Sequence, residues 1–221
     1  MKRFILAPAL TFCVAISALA SPVTVEETDI TPYKIVSVNI TGLYNGNVIA
    51  GVNKLLVDSV LVDGFCIDPF HFSLPGAQAY NSVALAAAPK DDHLIAGTNM
   101  TASEAVLLTK LWAVGYPIIG ANAAKAAALQ IAIWEVVGGA YFHLNGMNDY
   151  GAAALLVQAQ NYNGALPNLI ALTGPGQDFV IAGPTQPAPE TGATVILLAL
   201  ALGVIAIARK SRAFSRAAGS V

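Results

Sequence analysis

The chain has 221 residues, of which 56% are hydrophobic and 11% are charged. Every acidic residue lies between Glu26 and Glu190, whereas six of the eleven basic residues are at the two ends. The central part therefore has five lysines against 13 acidic residues, a net charge of −8, and no arginine. This balance excludes a nucleic-acid-binding surface, which needs clustered lysine and arginine. The high content of Val, Leu and Ile also argues against intrinsic disorder.

Residues 1–20 have the pattern of a secretory signal peptide. Lys2 and Arg3 form a short basic segment, and an almost wholly apolar stretch follows them. The small-x-small sequence ending at Ala20 predicts cleavage before Ser21. We therefore expect the protein to be exported.

The alternative to this signal is a lipoprotein signal using Cys13. Phe12 occupies the position where such a signal needs a small residue, and the apolar stretch continues beyond it. Cleavage after Ala20 leaves Cys66 as the single cysteine of the mature chain. One cysteine excludes an internal disulfide, so Cys66 is either an inert buried thiol or a reactive one.

The C-terminal end is built of three segments. Residues 183–192 form a proline-rich linker, residues 193–208 an apolar stretch, and residues 209–221 a basic tail. A helix over 193–208 would be roughly 24 Å long, close to the ~30 Å thickness of a hydrocarbon core. The basic tail predicts a cytoplasmic C-terminus, with the rest of the protein outside.

The linker ends in a P-x-T-G tetrad, consisting of Pro189, Glu190, Thr191 and Gly192. The order of linker, tetrad, short span and arginine cluster resembles bacterial sorting signals. It is similar to the VPDSG-type PEP-CTERM signals read by exosortases, and to the LPxTG motif of sortases with Ala188 in place of leucine. The resemblance implies that such a transpeptidase removes the helix and leaves the protein at the cell surface. A plain single-pass membrane anchor is the alternative.

The hydrophobic patterns in residues 21–182 predict one α+β domain, which is β-rich and has an inserted helical part. Alternating apolar residues predict a strand over 33–43, and Asn45-Gly46 predicts a turn before a second strand at 48–50. Further strands are predicted within 55–67, ending near Cys66, and over 80–88 and 178–182. No repeat of 20–50 residues recurs, which excludes a solenoid.

Three helices are predicted between these strands. A capping box at 101–104 begins the first, which ends near Val114. The second covers 122–137 and ends at Gly138-Gly139. Asp149 caps the third, which continues through Gln160.

Gln130 lies on an apolar stripe of the second predicted helix. Its neighbours at spacings of three, four and seven are Ala126, Ala127, Ile133, Trp134 and Val137. An unpaired buried amide costs about 1–3 kcal/mol. Gln130 is therefore either a structural glutamine bonded to backbone or a reactive one.

Cys66 also has apolar neighbours, Phe65 and Ile67. A thiol and a carboxamide in a dry site can condense, because the sulfur attacks the amide carbon, ammonia leaves and a thioester remains. Apolar surroundings are needed to keep water from hydrolysing that bond. Ile133 and Trp134, one turn beyond Gln130, are placed to shield it.

These two segments resemble the signature segments of bacterial thioester domains, which are named for the TQxA motif of surface adhesins. Cys66 lies in a Cys-Ile-Asp sequence, and the second segment matches the family at Gln130, Ala132, Ile133 and Trp134, with Leu129 in place of threonine. The resemblance implies a Cys66–Gln130 crosslink that needs no cofactor. It also implies covalent capture of an amine or hydroxyl group on a partner surface, a single-use adhesive reaction rather than enzymatic turnover.

Two other functions stay open at this stage. The same fold without a formed thioester would be a noncovalent structural or extracellular-matrix protein. A cysteine hydrolase would pair Cys66 with His71 or His143. Asp68, His71, Glu135 and His143 are all able to help ionise Cys66, and the sequence does not choose among them.

No metal site is expected. The three histidines lack the spacing of metal ligands. Asp58, Asp63 and Asp68 recur every five residues, which fits solvated strand and turn positions better than a calcium loop.

Overall fold

The computed structural model of the protein describes residues 21–90 and 98–184. The predicted signal peptide, the Pro189–Gly192 tetrad, the 193–208 helix and the basic tail lie outside the described residues. Within the described ranges, the helices are too short or too polar to span a membrane.

The described residues contain the predicted strands and helices in the predicted order, together with two short strands that were not predicted. The strands are β1 (Ser21–Ile40), β2 (Tyr44–Val57), β3 (Val60–Cys66), β4 (Gln78–Ala84), β5 (Phe142–Leu144), β6 (Leu169–Thr173) and β7 (Phe179–Ala182). The α-helices are α1 (Ala102–Gly115), α2 (Ala123–Gly138) and α3 (Ala152–Gln160). All three helices lie between β4 and β6 in the chain, which confirms the α+β fold with an inserted helical part.

The strands form one antiparallel sheet that closes on itself. Its order is β2-β3-β7-β6-β4-β1-β5, and β1 also pairs with β2. The length of β1 allows this closure, because residues Ser21–Val25 pair with β4 while the rest of the strand pairs with β2. β5 extends the sheet beside Val38–Ile40.

The predicted turn at Asn45-Gly46 is wrong. The chain turns at Thr41–Leu43, where Gly42 has a φ of 78°. Such a left-handed conformation is readily adopted by glycine. Asn45 and Gly46 lie inside β2, opposite β1. The side-chain oxygen of Asn45 accepts a hydrogen bond from Asn145 Nδ2 at 2.8 Å, a tertiary contact that local sequence does not reveal.

The other strands differ from prediction mainly in their bounds. The segment 55–67, predicted to hold strands ending near Cys66, contains the end of β2 and all of β3, and the chain turns between them at Asp58 and Ser59, both at positive φ. β4 is shorter than predicted because Leu85–Ala87 forms a 3-10 turn. β5 and β6 were not predicted. β5 pairs with β1, whereas β6 pairs with β4 on one side and β7 on the other.

The first two helices begin where the sequence predicted them. Thr101 and Glu104 form a reciprocal capping box at α1, and the Asn122 side chain caps α2. α3 begins at Ala152, later than predicted, with Gly151 at φ 100° in the cap position. The Asp149 carboxylate still accepts hydrogen bonds from the backbone of Gly151 and Ala153, at 3.0 and 2.9 Å.

α2 is the central element of the helical part. It packs against β1, β2 and β3 on one side and against α1 and α3 on the other. All residues from Ala126 to Trp134 are buried, which explains why this helix is apolar on every face. The middle of α2, including Gln130, is therefore held beside the sheet.

Candidate functional site

Cys66 is the last residue of β3, at a point where the strand has a partner on one side only. It pairs with Phe179 of β7, whereas the pairing of β3 with β2 ends at Asn53 and Gly64. In an antiparallel sheet the N–H and C=O of one residue point to the same side. The peptide N–H and C=O of Cys66 thus face the space where a β2 residue would otherwise pair.

Gln130 of α2 fills that space with its side chain. The Cys66 N–H donates to Gln130 Oε1 at 3.0 Å, and Gln130 Nε2 donates to the Cys66 carbonyl at 2.8 Å. Gln130 is only 1% exposed, so these bonds satisfy an amide that is out of reach of solvent. The structure therefore brings together the two residues that the sequence selected, 64 positions apart.

Asn53 and Glu27 extend this network beyond what the sequence indicated. With its side-chain amide oriented to suit both neighbours, Asn53 accepts from the Cys66 N–H at 3.2 Å and donates to Glu27 Oε1 at 2.8 Å. Asn53 is 3% exposed. The polar residues Asn53 and Lys54 between Val52 and Leu55 were the one sequence signal for this contact. Burial raises the pKa of Glu27, although a hydrogen bond from Ser73 opposes the rise.

The sulfur of Cys66 has polar partners of its own. Trp134 Nε1 donates to Sγ at 3.1 Å, the thiol donates to the Asp68 carbonyl at 3.2 Å, and the Asp68 N–H lies 3.4 Å from Sγ. Burial raises the pKa of the Cys66 thiol well above its ordinary value. The Trp134 hydrogen bond acts in the opposite direction, and the negative charges of Asp68 and Glu27 add to the rise. The thiol is therefore neutral at physiological pH.

A pocket of about 350 Å³ reaches the Cys66–Gln130 pair. Trp134 and several buried apolar side chains line it, and three exposed apolar side chains lie in its lining as well: Leu43, Ile49 and Phe72. Two residues were expected to shield the site. Trp134 lines this pocket, whereas Ile133 is not part of the lining and is fully buried in the hydrophobic core.

The interpretation of Asp68 as a solvated residue is wrong. Asp68 is 7% exposed, because the loop after β3 folds back on itself. Its Oδ1 accepts from the Phe70 N–H at 3.0 Å, and its Oδ2 is 2.7 Å from His71 Nδ1. His71 lines the same pocket as Cys66 and Gln130.

The other two acid–base candidates belong to different surroundings. Burial, together with the negative charge of Asp149, raises the pKa of Glu135. His143 is an exposed residue of β5, opposite Asn39 of β1. Among the four candidates, Asp68 contacts the Cys66 sulfur, and His71 lines the pocket that reaches Cys66.

The contacts of the Cys66 sulfur differ from those of the expected cysteine–histidine pair. No hydrogen bond joins Cys66 and His71, two residues that the structure describes in full, and the sulfur instead contacts Asp68 and Trp134. Cys66 is 2% exposed, and burial raises the pKa of its thiol. Within 21–90 and 98–184, no three His, Cys, Asp or Glu side chains are grouped to hold a metal ion.

Comparison with known proteins gives a weak structural similarity. A scan against protein-family models found no match, and a search of curated proteins found none either. Among solved structures, the chain is similar to the N-terminal thioester domain of a surface protein from Clostridium perfringens, with a TM-score of 0.40 and 9% sequence identity. The similarity covers 74% of this chain and 99% of that chain. The function proposed below therefore depends on the contacts around Cys66 and Gln130.

Proposed function

We propose that Cys66 and Gln130 condense to an internal thioester, which the protein uses once to attach itself covalently to a partner surface. The observation that carries this proposal is the double hydrogen bond between the Gln130 amide and the Cys66 peptide group. It holds the amide beside the residue whose sulfur would attack it. Holding two reacting groups in place removes much of the entropic barrier to their reaction.

The hydrogen bonds suit the chemistry of condensation. When Sγ of Cys66 attacks the side-chain carbonyl carbon of Gln130, negative charge develops on Oε1. That oxygen already accepts the Cys66 N–H at 3.0 Å, so a hydrogen-bond donor is in place where the charge develops. The C–S bond forms, the C–N bond breaks, and ammonia leaves with the thiol proton.

The pocket supports the second half of the reaction. Its largely apolar lining limits water at the thioester, which slows hydrolysis. An amine or hydroxyl group that enters the pocket would attack the Gln130 carbonyl carbon, form an amide or ester, and release the Cys66 thiol. Because the thioester is consumed, the protein acts as a covalent binder rather than an enzyme.

We place this reaction on the outside of the cell. The signal peptide, residues 1–20, would direct export, and residues 193–208 would hold the protein in the membrane first. An exosortase or sortase-type transpeptidase acting at Pro189–Gly192 would then transfer it to the surface. These steps depend on sequence patterns in residues outside the described ranges.

The intact mass of the mature chain, purified without amine buffers, tests the thioester. Condensation expels one ammonia, so the protein should weigh about 17 Da less than its sequence mass. Methylamine should then convert Gln130 to its methylamide and free one thiol. Cys66→Ala is the control, and it should show the full mass and no reaction with methylamine. A wild-type protein of full sequence mass contradicts the proposal.

A noncovalent structural protein is the second candidate. Both polar ends of the Gln130 amide are already paired with backbone, as expected of a purely structural buried glutamine. The same mass measurement separates the two functions, because the structural protein would keep its full sequence mass.

A further inference from the structure

The loop that follows Cys66 carries a hydrogen-bonded aspartate–histidine pair whose role the condensation itself does not explain. Asp68 Oδ2 lies 2.7 Å from His71 Nδ1. The Asp68 carboxylate is buried, whereas the His71 ring is about half exposed, at 48%. The same loop is tied to the sulfur, since Asp68 bonds Sγ through both its N–H and its carbonyl.

This contact determines which nitrogen of His71 is basic. A carboxylate only accepts hydrogen bonds, so the Nδ1 of His71 carries the proton that Asp68 receives. In the neutral ring Nε2 is then the nitrogen with a free electron pair. His71 lines the pocket that also reaches Cys66 and Gln130, so this ring borders the cavity that a nucleophile would enter.

The proposed reaction needs a group that moves a proton at this place. The Cys66 sulfur begins condensation as a thiol and ends thioester opening as a thiol, because burial disfavours its ionised form. The attacking amine or hydroxyl must lose a proton in the same step. A pocket lined mainly by apolar side chains offers few alternatives for that transfer.

We propose that His71, oriented by Asp68, carries the proton between the Cys66 sulfur and the nitrogen or oxygen that enters or leaves Gln130. This inference rests on the proposed thioester. In opening, His71 Nε2 takes the proton of the attacking amine as the new C–N bond forms. The C–S bond then breaks, and the same proton passes from His71 to the Cys66 sulfur.

Condensation is the same path in reverse. The thiol proton passes through His71 to the departing ammonia while the C–S bond forms and the C–N bond breaks. One residue therefore serves both directions, and Asp68 is a positioning residue that keeps the ring in the required tautomer. Acid–base catalysis of this kind typically contributes about 10²–10⁴-fold to a rate.

The test is the time course of methylamine addition to the mature chain, followed by intact mass. We expect His71→Gln to open roughly 100-fold more slowly than wild type, and to contain a larger fraction of protein that has not lost ammonia. His143→Gln is the matched control, because His143 is an exposed histidine of β5 outside this pocket. It should behave as wild type in both measurements.

Added 4-methylimidazole distinguishes a proton-transfer role of His71 from a merely structural role, because it can replace a missing imidazole but cannot repair altered packing. It should restore methylamine addition in His71→Gln and leave the rates of wild type and His143→Gln unchanged. If His71→Gln adds methylamine at the wild-type rate and contains the wild-type fraction of protein that has not lost ammonia, this inference alone is overturned. Slow opening of His71→Gln without rescue also overturns it, since it would assign His71 a structural role. Wild-type protein at full sequence mass overturns the proposed function and this inference with it.

Discussion

The side-chain amide of Gln130 substitutes for a missing strand partner of Cys66. It accepts from the Cys66 N–H at 3.0 Å and donates to the Cys66 carbonyl at 2.8 Å. These two bonds fix the position of α2 relative to the end of β3, because both residues are at most 2% exposed and pair with each other. The same contacts therefore serve the stability of the fold and the proposed chemistry.

Loss of the Gln130 amide should destabilise the fold. Gln130→Met keeps the length of the side chain and removes its hydrogen bonds, leaving buried polar groups of Cys66 without this partner. In a Cys66→Ala background, where no thioester forms, we expect the free energy of unfolding to fall by about 1–3 kcal/mol in urea titration.

Ile133→Met in the same background is the matched control. Ile133 is equally buried on α2 and makes apolar contacts, and a volume-conserving replacement of this kind costs less than about 1.5 kcal/mol. If both variants lose the same free energy of unfolding, the hydrogen bonds of the Gln130 amide do not stabilise the fold as predicted.

The indole of Trp134 should assist thioester opening. Its Nε1 donates to the Cys66 sulfur at 3.1 Å, and this hydrogen bond lowers the pKa of the thiol against the effect of burial. Trp134→Phe keeps an aromatic ring in the pocket and removes the donor, so a departing thiolate is less stabilised. We expect methylamine addition, followed by intact mass, to be roughly 10-fold slower.

Trp112→Phe provides the comparison for that variant. Trp112 stacks on Tyr116 with ring centroids 4.7 Å apart and contacts Phe65 edge to face. The thioester of Trp112→Phe should open at the wild-type rate. A similar slowing in Trp112→Phe and Trp134→Phe would indicate loosened packing instead of a lost hydrogen bond.

Glu27 should make the stability of the protein depend on pH. Burial raises its pKa above the ordinary value of 4.5. A carboxyl whose pKa is raised in the folded state stabilises that state when protonated, so the free energy of unfolding falls as pH rises through the raised pKa. Glu27→Gln cannot ionise, so the variant should not lose this part of the free energy of unfolding as pH rises. We expect the variant to be more stable than wild type at pH 7 and the difference to disappear below about pH 4.

Urea titration at several pH values measures the effect. Glu26→Gln is the control, because adjacent side chains on a strand point to opposite faces. It changes the net charge equally, without altering the contact with Asn53. Equal pH dependence in the two variants would show that net charge, rather than burial of Glu27, is responsible.

The sorting signal predicts a defined C-terminus. If a transpeptidase acts at Pro189–Gly192, surface material should yield a C-terminal peptide ending near Thr191 or Gly192 and lacking residues 193–208. Mass spectrometry of protein released from the cell surface measures this. Replacing the tetrad by alanines should leave full-length protein in the membrane, and recovery of the intact tail from wild-type envelopes would indicate a plain anchor.

The sequence by itself determined the order of most elements and the pair at the site. The capping box at Thr101 and the cap at Asn122 are local devices, since a few neighbouring residues satisfy the first backbone N–H groups of a helix. Gln130 was identifiable because a polar side chain on an apolar helix stripe is costly unless it has a partner. Cys66 was identifiable as the single thiol left after predicted signal cleavage.

Only the tertiary structure decided how these residues are connected. The closure of the sheet through β1 and the place of β6 depend on pairings between distant segments, which no local pattern records. The turn at Gly42 was missed because Asn45-Gly46 carries the stronger local signal, while strand register placed those residues inside β2. The burial of Asp68 and its bond to His71 arise from a loop folding back after β3. Hydrogen bonds and burial of this kind are set by three-dimensional proximity, so the choice of His71 over His143 required the folded chain.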